Sequence, residues 1–77
     1  MIETERQIRE APDICVICQY SEQEKRVHIA RFTDEAGETI AYPGQDEFRR
    51  IMAENWDEVA AAVSDCYEEA QKRAPKD

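Results

Sequence analysis

A chain of 77 residues makes one small domain with a thin core, since a domain near that size buries only about 60% of the surface its unfolded chain exposes. Eighteen acidic against ten basic side chains give a formal net charge of -8, which argues against direct binding of nucleic acid or an anionic membrane and points to a basic protein or a nucleic-acid-binding complex as partner. Hydrophobic residues at 42%, with two glycines and three prolines, indicate a globular domain rather than a disordered tail.

Residues 1–12 read as an N-terminal arm or short helix. Ile2 and Ile8 are its large apolar residues, and Pro12 disfavours helix at the residue before it. The opening MIETERQIRE lacks the basic-then-apolar pattern of a secretory signal, and no apolar run in the chain is long enough to span a bilayer. An odd number of cysteines, three, reads as reduced thiols in a cytoplasmic protein rather than as a disulfide framework.

Residues 13–43 read as a three-stranded antiparallel meander. DICVICQY and KRVHIARFT are runs of strand length rich in β-branched residues, separated by the polar SEQE. TDEAGET has hairpin-turn composition with Gly37 at the left-handed position, and it leads into ETIAY. In YPGQ, Pro43 and Gly44 occupy the central positions of a type II turn.

From residue 45 to 74 the apolar period becomes helical. QDEFRRIMAE places Phe48, Ile51 and Met52 on one face of a short helix, with Asp46 and Glu47 in its first turn. A longer helix follows, with Asn55 as N-cap, Glu58 three residues on, and Lys72 and Arg73 before Pro75. At 100° per residue its apolar arc holds Trp56, Val59, Ala60, Val63, Cys66, Tyr67, Ala70 and Ala74. With Trp56 in the core, Trp56→Ala is expected to cost about 3 to 5 kcal/mol. The fold class is therefore α+β: a three-stranded sheet, a short helix and a longer amphipathic helix packed on it.

Reaction chemistry finds little footing in these residues. Cys15 and Cys18 form a CxxC spacing, but three positions apart on a strand they point to opposite faces, and Val16 and Ile17 are poor turn formers. They read as buried strand cysteines, with Cys15 and Ile17 facing one way and Ile14, Val16, Cys18 and Tyr20 the other, so the strand is either a central strand covered on both faces or part of a dimer surface. His28 reads as a sheet residue on the face that carries Ala30 and Phe32. No nucleophile elbow or glycine-rich phosphate cradle occurs. The expectation is a non-enzyme without catalytic residues, metal or cofactor.

The longer helix carries its carboxylates on the arc opposite the apolar one. Asp57, Glu58, Asp65, Glu68 and Glu69 extend over ~18 Å at a rise of ~1.5 Å per residue, one charge per ~3.6 Å, near the ~3.4 Å phosphate spacing of a DNA strand. With Glu54 beside them they form the candidate partner-binding set. Reversing Glu58, Asp65 and Glu69 to lysine is expected to abolish binding with the fold intact. The bland reading of the same arc is a solvated helix face.

In size, charge and compactness, bulk properties of the whole chain rather than a motif, the sequence resembles small phage proteins that block bacterial defence, anti-CRISPR proteins and other nucleic-acid mimics among them. That resemblance implies an inhibitor that uses an acidic surface to block a nucleic-acid-binding partner. The alternatives are an antitoxin-like or regulatory interaction module, and a structural homodimer joined through the doubly apolar strand.

Overall fold

The computed structural model describes residues 2–73, in the order β1 (Ile2–Gln7), β2 (Cys15–Ser21), β3 (Arg26–Thr33), β4 (Thr39–Ala41), α1 (Asp46–Glu54) and α2 (Trp56–Arg73). The α+β class holds: the four strands form one antiparallel meander in the order β1-β2-β3-β4, and both helices follow it. Within the described residues no helix is long and apolar enough to cross a membrane.

The sheet has one strand more than the three read from the sequence, because the stretch assigned as an arm or short helix is β1. Its side chains alternate, Ile2, Thr4 and Arg6 half-buried against Glu3, Glu5 and Gln7 exposed, a period of two that suits a half-covered strand and no helix. Ile8, fully buried, anchors the connection to β2, and its N–H donates to the Ile14 carbonyl at 3.0 Å. The glutamates hide this strand, since acids are depleted in strands generally.

β2 is a central strand, paired with β1 and β3 along its length. Val16, Cys18 and Tyr20 join the core beneath the helices together with Phe32, Ala41, Phe48, Ile51, Val59, Cys66 and others. Cys15 and Ile17 lie on the helix-free face, only 9% and 5% exposed, with Gln7 and Thr33 opposite Cys15 and Glu5 and Arg31 opposite Ile17, so the strand is central but has helices over one face rather than cover on both. Cys15 and Cys18 thus take opposite sides of the sheet. Burial pushes the Cys18 thiol up to about 12, with Cys66 and Asp65 adding to the rise. Cys18 is fully buried and its thiolate is disfavoured, so a disulfide reagent is expected to leave Cys18 unmodified in the native protein and to modify it only after denaturant. Rapid native labelling of Cys18, read by mass spectrometry, would contradict its place in the core.

Two bulges reset the alternation. Between Ile17 and Cys18 the register with β3 jumps from Arg31 to Ile29, leaving Ala30 as the extra residue. His28 consequently lies opposite Gln19 on the helix-free face while Phe32 lies opposite Val16 in the core, which corrects the expectation that the two share a face. A second bulge falls at Ile40, between the pairs Phe32·Ala41 and Thr33·Thr39.

The turns follow their chemistry. Asp34 Oδ1 accepts from the N–H groups of Ala36 and Glu38, both at 2.9 Å, and Gly37 takes φ 89° as the left-handed residue. In the turn before α1, Gln45 N–H donates to the Tyr42 carbonyl at 3.2 Å and Gly44 has φ 93°, the positive φ that type II geometry needs at this position. Asn55 serves the end of α1 rather than the start of α2 with its side chain: its Nδ2 donates to the Ile51 carbonyl at 3.1 Å.

Candidate acidic interface

The rotation of α2 about its axis decides which of its carboxylates are free. The buried residues are Val59, Ala62, Cys66 and Ala70, a narrow stripe of small side chains whose centre lies about 60° around the wheel from that of the apolar arc read from the sequence. Small residues let the helix sit close to the sheet. Trp56 and Tyr67, expected inside, fall at one margin of the stripe and are 58% and 47% exposed. Tyr67 retains an edge-on contact with Tyr20, ring centroids 6.1 Å apart. Ala74 lies outside the described residues.

At the other margin Glu58 and Asp65 turn toward β1. Arg6 Nε donates to Glu58 Oε2 at 3.3 Å and Arg6 Nη1 donates to Asp65 Oδ2, so one guanidinium joins carboxylates two turns apart on α2. Arg9 approaches Glu58 as well, at 3.9 Å. The hydrogen bond to Asp65 is the main cause that holds the Arg6 guanidinium above its ordinary range; burial opposes it, and the hydrogen bond and charge of Glu58 add to the rise. These contacts run α2 antiparallel to β1, and they make Glu58 and Asp65 structural as well as acidic. Glu69 is likewise engaged, accepting from Arg73 Nε at 2.9 Å.

Glu54, Asp57 and Glu68 remain. All three are exposed, and none forms an ion pair among the described residues. Glu54 and Asp57 flank the junction of α1 and α2, where a groove of about 300 Å³ is lined by Glu10, Glu54, Asn55, Trp56, Asp57 and Glu58. The six candidate residues therefore divide: Glu54, Asp57 and Glu58 meet at the groove, Asp65 binds Arg6, and Glu68 and Glu69 stand toward the far end of α2. Sequence reasoning missed Glu10 and Trp56 as members of this surface. The helix by itself carried no signal for this, since adding Ala62 to the assigned arc moves its centre by only about 10° and leaves Trp56 inside.

A π-face beside carboxylates favours cations twice over, through the ring quadrupole and through charge. Elsewhere, His28 Nε2 lies 3.0 Å from Glu24 Oε2 at an exposed site. Cys15 is raised from its ordinary value, chiefly by burial and then by Glu5, Glu35 and Asp34, which disfavours its thiolate. Comparison of the chain with protein-family models, with curated proteins and with solved structures gives no match.

Proposed function

We propose that this protein is a non-enzymatic, protein-binding inhibitor or regulator that docks on a basic surface, of the kind a nucleic-acid-binding complex presents. The observation that carries the reading is Trp56: a large aromatic 58% exposed, set in a groove between Glu54 and Asp57, neither of which forms an ion pair among the described residues. A lysine or arginine of the partner would gain both the ring face and the charges there, a contact worth about 0.5 to 2 kcal/mol through the ring alone. Asp57 and Glu68 extend the acidic surface along α2. Glu58, Asp65 and Glu69 contribute less free charge, so the interface is a patch around Trp56 rather than a continuous phosphate-like stripe. Three unbridged cysteines suit the reducing cytoplasm in which such a partner would be met.

The test is affinity capture from a nuclease-treated bacterial lysate, eluted with rising salt and identified by mass spectrometry. The wild-type chain is expected to retain a nucleic-acid-binding protein that leaves at moderate salt, because exposed charge is screened within about 10 Å at 0.1 M. Bait carrying Trp56→Ala and Glu54→Lys is expected to retain at least tenfold less of it. Equal capture by both baits would dismiss the groove as the contact, and a salt-resistant partner would favour an apolar regulatory interface instead.

A further inference from the structure

β1 is an edge strand: it stands first in the sheet order and pairs with β2 alone. Over its six residues, alternate N–H and C=O groups point away from β2, a ready template for another strand. α2 crosses the face of β1, where Arg6 meets Glu58 and Asp65, and none of the described strands pairs with the outer edge.

The charges on this edge discriminate between occupants. Glu3 and Glu5 lie on the helix-free face, exposed, and neither forms an ion pair among the described residues; Glu3 accepts from Gln19 Nε2 at 2.8 Å. Cross-strand neighbours share a face, so an antiparallel copy about a two-fold axis normal to the sheet must set odd positions against odd ones. Centred on Thr4, that pairing puts Glu3 against Glu5 twice; centred on Glu5, it puts Glu5 against itself. Like charges directly opposite are destabilising, and the edge is guarded against its own copy in these two registers.

The same two carboxylates, about 6.8 Å apart along the strand, match basic residues at alternate positions of a different strand. On the other face Arg6 is already committed to α2, so the intervening positions of that strand suit small uncharged side chains. We propose that the β1 edge binds an extended segment in which lysine or arginine alternates with uncharged residues, by adding it as a fifth strand. This surface is separate from the Trp56 groove and shares with it only the basic character of the partner.

The test uses a capped heptapeptide alternating lysine and threonine against the whole ¹⁵N-labelled protein. Two control peptides accompany it: one with the same composition but clustered lysines, and one N-methylated at alternate residues to block the ladder. Alternate β1 amides are expected to exchange at least tenfold more slowly when the alternating peptide saturates, with both controls binding at least tenfold more weakly. Glu3→Lys with Glu5→Lys is expected to lose that peptide and gain one alternating glutamate with threonine. Glu54→Lys with Asp57→Lys is expected to leave peptide binding unchanged, which separates this site from the groove. Equal binding of all three peptides, shifts confined to Trp56 and its neighbours, or absence of binding at millimolar peptide would overturn the proposal.

Discussion

Replacing Phe32 with alanine is expected to destabilise the protein by about 3 to 5 kcal/mol, while Trp56→Ala changes stability by less than about 0.5 kcal/mol. Phe32 is fully buried on β3 and meets the ring of Phe48 on α1 at 4.9 Å between centroids, so its removal opens a cavity where sheet and first helix join. A domain of 77 residues has a total stability of only about 4 to 12 kcal/mol, so Phe32→Ala leaves a marginally folded chain. Urea unfolding of both variants decides the matter. A costly Trp56→Ala would put the indole back in the core and remove the aromatic wall of the proposed groove.

That inversion, with the conspicuous tryptophan outside and a phenylalanine on an unremarkable strand inside, shows where the sequence was legible and where it was not. The meander over residues 13–43, both helices and the turns at Gly37 and Gly44 rest on local chemistry: β-branched runs, period and φ > 0 positions each declare themselves within a few residues. The rotation of α2 does not. A helix with alanine at 60, 61 and 62 presents nearly the same apolarity over a wide arc, and the sheet beneath settles the choice. The deciding residue, Arg6, sits on the strand whose glutamates concealed it, so its pull on Glu58 and Asp65 was invisible until β1 was in place. His28 and Phe32 illustrate a second limit, because the bulge at Ala30 changes the parity of the strand without a glycine to announce it. For the candidate site, the acidic set was readable as charge, and its division into engaged and free carboxylates required the fold.

The division can be measured with two variants of identical net charge. Glu58→Lys with Asp65→Lys, and Glu54→Lys with Asp57→Lys, each reverse one glutamate and one aspartate, and each removes one acid from the first turn of α2, so helix-dipole effects and overall charge largely cancel between them. The first pair surrounds Arg6, whose side chain is 29% exposed, with two lysines in place of two carboxylates. Its melting temperature is expected to fall by about 10 °C at low ionic strength, using the 4 to 8 °C per kcal/mol of a domain this size. The second pair alters exposed side chains that form no ion pair among the described residues, and its melting temperature is expected to stay within about 4 °C of the original chain. Introducing Arg6→Glu into the first variant restores opposite charges across the contact and is expected to recover most of the loss, as a double-mutant cycle requires of a direct interaction. Equal melting temperatures for the two pairs, or a failure of Arg6→Glu to rescue, would place Glu58 and Asp65 back among the free carboxylates and return the continuous acidic stripe as the surface offered to a partner. The expected asymmetry would make binding loss in the Glu54 and Asp57 variant interpretable as loss of contact, since the fold beneath it is unchanged.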